Sequence, residues 1–256
     1  MFEENFYQGD SFFHRADPRG KVICASLLVV TIALLERLFA SGAAFLMATF
    51  FLAAARLPAE KVIKRLVVVN TFIAFLWVFL PFSVPGKAVF SVWGRPATAE
   101  GIKLALLITI KCNAILLVII CFIATTPFPL LGFALTNLRV PGKLTLLMLI
   151  SYRYISVIQE EYDRLLEAAK VRCFVPRNNI HTYRTYAYLV AMVLVRSYER
   201  GLTVYQAMVL RGFKGRFYSL RKFHFGKGDV LLSMGVALCI GLLLYFDRAA
   251  TVLTNF

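Results

Sequence analysis

The sequence lacks the motifs with which a chain of this size would hydrolyse a nucleotide or a peptide. No G-x-x-x-x-G-K-[ST] loop is present, and the Gly-Lys pair within residues 225–229 has neither the loop spacing nor the hydroxyl that binds Mg²⁺. G-x-S-x-G and H-E-x-x-H segments are also missing, and no pair of carboxylates lies within an apolar segment. We therefore predict that this chain has no catalytic residue and does not hydrolyse ATP by itself.

Metal-binding residues are equally sparse. The three histidines, His14, His181 and His224, are far apart, and none has a second His, Cys or carboxylate at ligand spacing on one helical face. The five cysteines show no ligand spacing, and four of them lie in apolar segments, which is typical of small buried side chains. The sequence predicts no metal site and no cofactor bound by this chain.

Acidic residues are scarce, whereas apolar and basic residues are abundant. Asp and Glu number 14 against 29 Lys and Arg, and 59% of the 256 residues are hydrophobic, with a mean hydropathy of +0.71. Water-soluble domains are usually about 45 to 50% apolar, so the composition predicts an all-α polytopic membrane protein. Residues 127–227 hold 16 basic and 5 acidic residues, which is +11 of the net +15. This segment should lie in the cytoplasm, against anionic lipid headgroups or an acidic protein partner; nucleic acid fits less well.

The N-terminal part divides into an arm and a set of apolar segments. Residues 1–21 form a predicted cytoplasmic arm without the features of a secretory signal peptide, and Asp17 followed by Pro18 indicates a turn or a helix start. Residues 22–126 are predicted to hold the first transmembrane helices, with apolar segments at 22–35, 38–55, 66–82 and about 102–125. Only Glu36 and Arg37 separate the first two, which leaves a helical hairpin or one broken helix.

The remaining membrane features follow from charge and turn residues. Residues 83–101 are predicted to form an external loop with Trp93 as an interfacial anchor, and residues 229–256 to contain a last transmembrane helix, giving about five to six spans in all. Lys111 lies within an apolar segment, where an ammonium is costly. We expect it to face the helix bundle or to extend toward the interface; a place on a substrate path is the alternative.

Residues 127–228 are predicted to form a cytoplasmic or interfacial module. Two long helices, separated by a break at residues 175–179, each begin with apolar residues and continue with charged ones. A basic and aromatic connection at residues 213–228 is typical of a segment at headgroup level. Acidic residues of the first helix, Glu160, Glu161, Asp163 and Glu167, alternate with basic ones at spacings of three and four, and we interpret them as support for that helix.

The two long helices end in the same pattern. The segments AAKVRCF (residues 168–174) and AMVLRGF (residues 207–213) share A-x-x-x-R-[CG]-F at an offset of 39 residues, and Glu160 and Glu199 have the same offset. In each copy the Ala and the Arg are one helical turn apart, with Arg172 and Arg211 at the predicted C-terminal ends. Two interpretations are open: a pair of capped helix ends, or a pair of arginines presented to a partner.

Together with the segment SFFHRADPRGK (residues 11–21), this repeated motif resembles the transmembrane T component of energy-coupling factor transporters, in particular the cobalt-type CbiQ family. The resemblance covers nearly the whole chain. It implies that Val171, Arg172, Cys173 and Leu210, Arg211, Gly212 dock into two ATP-binding-cassette ATPases, with Ala168 and Ala207 as supporting small residues. We call these two sets the first and the second docking triplet. Cys173 departs from the family's usual Gly.

The resemblance also implies the partners and the cargo. The ATPases would use ATP and Mg²⁺, and a separate CbiM-like substrate-binding S component, with a small CbiN-like subunit as a further candidate, would carry the ion. The expected function is cobalt import across a bacterial or archaeal inner membrane for cobalamin biosynthesis. Nickel or vitamin import is the alternative cargo. An integral-membrane enzyme acting on an anionic lipid, or a scaffold without ATPases, remains a different class of function.

Overall fold

The computed structural model describes residues 16–55, 57–85, 88–92, 95–138, 140–215 and 226–254. These residues fall into two compact units, one of residues 16–127 with 226–254 and one of residues 128–215. The elements of the first unit are α1 (Pro18–Leu34), α2 (Leu38–Ala55), α3 (Ala59–Ser83), β1 (Ala88–Val92), β2 (Arg95–Thr98), α4 (Ala99–Phe122) and α8 (Lys227–Thr254). Those of the second unit are α5 (Phe128–Asn137), α6 (Gly142–Val171) and α7 (Ile180–Leu210).

The prediction of an all-α polytopic membrane protein is confirmed. Of the five to six spans expected, four described helices have the necessary length and composition: Leu38–Ala55, Ala59–Ser83, Ala99–Phe122 and Gly228–Arg248. α1 has 17 residues, which at about 1.5 Å per residue is shorter than a hydrocarbon core of ~30 Å. Helices α6 and α7 are longer, at 30 and 31 residues, but their second halves carry the charged residues noted above.

One local expectation is corrected. Residues 83–101, predicted as a loop, contain an antiparallel pair of strands, β1 and β2, which satisfy one another's backbone groups between α3 and α4. The third predicted span, residues 66–82, lies within α3, which begins at Ala59 because helical geometry continues through the charged segment that precedes the apolar residues. Trp93, most of the N-terminal arm (residues 1–15) and residues 216–225 of the basic connection lie outside the described residues.

Helices α1 and α2 are two separate helices. α1 ends at Leu34 because Leu35 adopts an extended conformation, with φ −63° and ψ 127°. The carbonyl of Ala33 in the last turn accepts a hydrogen bond from Nζ of Lys111, at 3.0 Å. A cation at a helix C-terminus stabilises the orphan carbonyls and the negative end of the helix dipole. The contact agrees with the expectation that Lys111 faces the helix bundle.

Polar contacts join the start of α1 to α8 and to the turn that follows α4. Asp17 caps α1, accepting from the backbone N–H of Arg19 at 2.9 Å, and its own N–H donates to Oδ1 of Asp229 at 2.7 Å. Asp229 also accepts from the N–H of Gly226 at 2.9 Å. Nζ of Lys21, which is 2% exposed, donates to Thr126 Oγ1 at 3.1 Å. The first and last helices and the end of α4 are thus held together at one end of this unit.

Small and polar side chains hold the apolar helices of the same unit together. Ala40, Ala44 and Ala48 of α2 are fully buried at successive turns, which lets neighbouring helices approach closely. The amides of Asn70 and Asn113 donate to each other across α3 and α4, both at 3.0 Å. Such reciprocal hydrogen bonds fix the relative rotation of two helices where water is absent.

The second unit consists of α5, α6 and α7. Short α5 lies against α6, where the Phe128 ring stacks on Tyr152 with centroids 4.6 Å apart. Gly132 permits this close contact, since a Cβ at that position would approach Leu149 Cδ2 to 2.7 Å. α6 and α7 are each about 45 Å long at 1.5 Å per residue, and each ends at one of the predicted docking triplets.

Candidate docking site at the ends of two long helices

The backbone of both helix ends follows one pattern. Arg172 is the C-cap of α6, and beyond it the N–H of Cys173 donates to the carbonyl of Lys170 at 2.9 Å, and that of Phe174 to Ala169 at 3.1 Å. This pair of hydrogen bonds defines a Schellman motif, which satisfies carbonyls that a helix end otherwise leaves without a partner.

α7 ends with the same motif. Arg211 is its C-cap, the N–H of Gly212 donates to Val209 at 2.9 Å, and that of Phe213 to Met208 at 3.0 Å. The repeated sequence therefore produces a repeated backbone. The structure confirms that both arginines lie at helix ends; their docking role stays a prediction at this point.

The residue after each Arg adopts a left-handed conformation. Gly212 has φ 78° and Cys173 has φ 63°, and Cys173 is the only non-glycine residue with positive φ in the described part of the chain. The replacement of Gly by Cys therefore does not change how α6 ends. Its cost is conformational, about 1 kcal/mol, because a Cβ disfavours this region.

Replacing Cys173 by Gly should consequently stabilise the protein. For Cys173→Gly we expect the free energy of unfolding to rise by about 1 kcal/mol, since glycine occupies positive φ without a steric penalty. Thermal unfolding in detergent, followed by tryptophan fluorescence, measures the change. Cys173→Ala is the control and should leave stability near that of the parent, because alanine keeps the Cβ. An equal gain in both variants would show that the side chain, not the backbone, sets the cost.

Both triplets are exposed. Val171 is 84% and Leu210 is 88% exposed, next to arginines that are exposed as well. Each triplet thus presents a large apolar side chain beside a guanidinium, whose planar array of donors suits a carboxylate. Ala168 and Ala207, one turn earlier, are also exposed and leave room beside the arginine. Exposed apolar and Arg side chains together are typical of a protein-binding surface.

The connection from α6 to α7 is ordered by aromatic and polar contacts. The ring of Phe174 meets those of His181 and Tyr186 edge to face, with centroids 6.4 and 5.8 Å apart. Asn179 caps α7 by accepting from the N–H of Thr182 at 3.0 Å. The first triplet is therefore held against the beginning of α7.

A buried carboxylate joins α6 to α7 in a contact that spacing along one helix does not predict. Glu161, 8% exposed, forms ion pairs with Arg196 and with Arg200, whose Nη2 lies 3.4 Å from Oε2 of Glu161. Sequence spacing assigned Glu161 to pairs within its own helix. Its neighbour Glu160 does form such a pair, 3.7 Å from Arg164 on the exposed surface. A signal was available: Glu161 and Arg200 differ by the same 39 residues as the two docking triplets.

The pairing makes Glu161 a stronger acid. The hydrogen bond from Arg196, together with the charges of Arg196 and Arg200, holds the pKa of Glu161 below its usual range. A lowered pKa in the folded state gives stability that is present above the unfolded value of about 4.3 and is lost as pH falls through the folded value. The ion pairs should therefore persist throughout the neutral range.

The lowered pKa of Glu161 predicts how the stability of the protein depends on pH. The difference in melting temperature between the wild-type protein and Glu161→Gln should stay constant from about pH 8 to pH 5 and shrink only below about pH 4, where the carboxylate takes up a proton. Melting curves at a series of pH values measure it. A difference that changes between pH 6 and 7 would contradict the assignment of Glu161 as the titrating group.

No three His, Cys, Asp or Glu side chains are grouped so as to hold a metal ion anywhere in the described ranges, and His14 and His224 lie outside them. The residues brought together in the second unit are instead arginines, one carboxylate and apolar side chains. Arginines beside exposed apolar side chains suit the binding of a protein partner.

Comparison with known proteins adds independent information. Residues 9–221 match the protein family described as "Cobalt transport protein". The energy-coupling factor transporter transmembrane protein EcfT of Ruminiclostridium cellulolyticum is 25% identical over 246 residues, covering 89% of this chain and 90% of the relative. The EcfT proteins of Acidaminococcus fermentans (26% over 255 residues, 95% of both chains) and Brevibacillus brevis (27% over 222 residues, 82% of this chain and 83% of the relative) are similar too.

Proposed function

Since this chain belongs to the cobalt transport protein family, we propose that it is the coupling (T) subunit of an energy-coupling factor importer for cobalt ions. The general role, a multi-pass membrane component of such a transporter, agrees with the four apolar helices and with the names of the EcfT relatives. The specific role that we propose is that α6 and α7 transmit ATPase motion to a separate substrate-binding subunit.

One observation supports the proposal that α6 and α7 transmit motion. Two helices of almost equal length end in the same Schellman motif, and each presents an exposed Arg beside an exposed apolar side chain. A helix end that served only its own stability would not need Leu210 or Val171 in water. Two equivalent triplets match two ATPase subunits, each of which offers an acidic groove to one arginine.

The helices are suited to carry motion between subunits. Each spans about 45 Å, and α-helices of this length behave as rigid elements in domain movements. Their first halves expose large apolar side chains, including Leu144, Leu147, Tyr188 and Val190, to lipid or to another membrane protein. We assign this apolar surface to the S component, which holds the ion, with a small CbiN-like subunit as an additional partner. ATP and Mg²⁺ belong to the ATPases.

Charge supports the orientation. The module that includes α6 and α7 carries most of the positive charge, so the positive-inside rule favours placing it, and the N-terminus, in the cytoplasm. The two triplets then face soluble ATPases rather than the outside. The cargo is proposed from the family alone: cobalt first, and nickel or a vitamin as alternatives within the same role.

Co-purification tests the proposal. The tagged chain, expressed together with the ATPases and the membrane subunit encoded beside it, should bring down both kinds of partner from detergent. Vesicles containing the complex should accumulate ⁵⁷Co²⁺ in the presence of ATP and not without it, and competition with Ni²⁺ then reports the preferred ion. If no ATPase associates with the wild-type chain, the coupling function is excluded.

A further inference from the structure

One ion pair of Glu161 joins two residues that occupy equivalent positions of the repeat. Glu161 and Arg200 are 39 residues apart, as are Arg172 and Arg211, so the two members of the pair occupy equivalent positions of α6 and α7. When two similar units are related by an approximate two-fold axis, residues that contact their own equivalents lie on that axis. The pair therefore has the placement expected of a contact on such an axis, because it joins equivalent positions of the two helices.

Both triplets lie at the same distance from this point. Arg172 follows Glu161 by 11 residues, and Arg211 follows Arg200 by 11 residues, which is about 16 Å along each helix. Any change in how the helices meet at Glu161 therefore displaces both docking triplets. Because the two distances are equal, the contact at Glu161 can set the spacing between the two docking triplets.

Around the ion pairs, α6 and α7 leave space between their apolar side chains. A cavity of about 450 Å³ is bordered by Glu161 and Arg200 as well as by Tyr154 and Tyr205, and a second of about 420 Å³ lies beside Tyr162 and Val190. Side chains bordering such space cannot fix the position of a helix by close packing. The ion pairs of Glu161, which join its buried carboxylate to two half-exposed arginines, are consequently a main determinant of how the two helices meet.

A second contact completes the geometry. Phe174, just beyond the first triplet, touches His181 and Tyr186 of α7. With one contact at Glu161 and another at Phe174, the segment of α6 between them is attached to α7 at two points. Two points of attachment fix an angle, whereas one would leave the helices free to rotate about it.

We propose that Glu161, through Arg196 and Arg200, is a positioning residue that sets the spacing of the two docking triplets so that both ATPases bind at once. The inference rests on the proposed function. Two linked binding modules gain affinity because the second binds as an intramolecular event, and this gain is lost when their geometry does not match the partner. Glu161 touches no ATPase; it acts on binding through the positions of Arg172 and Arg211.

The test is a double-mutant cycle on ATPase affinity in the purified membrane complex. Glu161→Arg should weaken binding of the ATPase pair by about 100-fold, the low end of the gain from linking two sites. In a chain with the second triplet disabled by Arg211→Glu, adding Glu161→Arg should change nothing further, because one site has no spacing to set. An equal loss in both backgrounds would overturn the proposal and would indicate that Glu161 serves only folding.

Two matched variants sharpen the result. Glu160→Arg makes the same substitution one residue away, on the exposed surface, and should leave affinity unchanged. The triple reversal E161R/R196E/R200E restores attraction with opposite signs and should recover most of the affinity. Failure of this variant to improve on Glu161→Arg, in a protein that still elutes as a monodisperse species, would contradict a role of the pairing itself.

A distance measurement covers the case in which binding to a single triplet is too weak to measure. With the five native cysteines replaced, spin labels at positions 167 and 206, which are exposed and equivalent in the repeat, report the spacing of the helix ends by pulsed electron resonance. We expect a narrow distance distribution in the wild type, a broad one in Glu161→Arg, and a narrow one in the triple reversal. Identical distributions in all three would refute the proposal even though wild-type ATPase binding, and with it the proposed function, stood intact.

Discussion

Reversing both arginines, Arg172→Glu with Arg211→Glu, should abolish ATPase binding and ATP-dependent uptake while leaving the membrane unit folded. Each arginine is exposed at the end of a long helix, and no ion pair within the described chain depends on it. Reversal therefore costs the fold little, but it places a carboxylate against an acidic groove, and truncating or reversing a central Arg in an interface commonly costs 2 to 5 kcal/mol or more.

Single variants should show graded losses. Arg172→Ala or Arg211→Ala removes one set of donors, and we expect each to weaken ATPase binding by about 10- to 100-fold. The double alanine variant should lose both binding and uptake. Pull-down of the tagged chain from detergent, followed by ⁵⁷Co²⁺ uptake in vesicles, measures the two effects side by side.

The matched control is Lys103→Glu. Lys103 is also an exposed basic residue, but it lies near the start of α4, in the other unit, and belongs to neither triplet. It should retain the ATPases, which separates a specific effect at the helix ends from a general effect of charge. Full uptake by the double reversal would show that the two motifs are only helix caps, and the proposed function would fail.

The second large effect concerns stability. Replacing Asp229 by Ala should lower the free energy of unfolding by about 2 to 4 kcal/mol, because it removes the acceptor of two backbone N–H groups, those of Asp17 and Gly226. The Asp17 amide lies in a buried contact, where a donor left without a partner costs about 1 to 3 kcal/mol by itself. The first and last helices of the unit would lose their polar connection.

Thermal unfolding of the purified chain in detergent measures this loss. Asp229→Asn keeps one acceptor oxygen and should lose about half as much, whereas Asp163→Ala, at an exposed position of α6, should lose little. The ordering wild type, Asn variant, Ala variant is the expected result. If Asp229→Ala unfolds at the wild-type temperature, the hydrogen bonds of Asp229 do not contribute to stability.

Much of the fold could be predicted because membrane-spanning helices can be recognised from their amino-acid composition. Long apolar segments place α2, α3, α4 and α8, and the Asp17–Pro18 pair marks the start of α1, where the structure shows the predicted cap. The helix ends at Arg172 and Arg211 were equally visible, since capping depends on residues within one turn. The hairpin of β1 and β2 was not, because pairing between two short segments depends on their meeting in space.

The sequence by itself determined that this is a helical membrane protein with two equivalent, Arg-bearing helix ends, because hydrophobicity, capping and repetition are local properties of the chain. Only the tertiary structure decided which partners the buried charged groups take. Glu161 has one basic residue at helical spacing in its own helix, Arg164, yet it pairs with Arg196 and Arg200. Asp229 accepts from Asp17, 212 residues away. A charged group is stabilised by the opposite charge or hydrogen-bond donor that lies within its reach in the folded protein. Tertiary packing therefore decides which partner it takes.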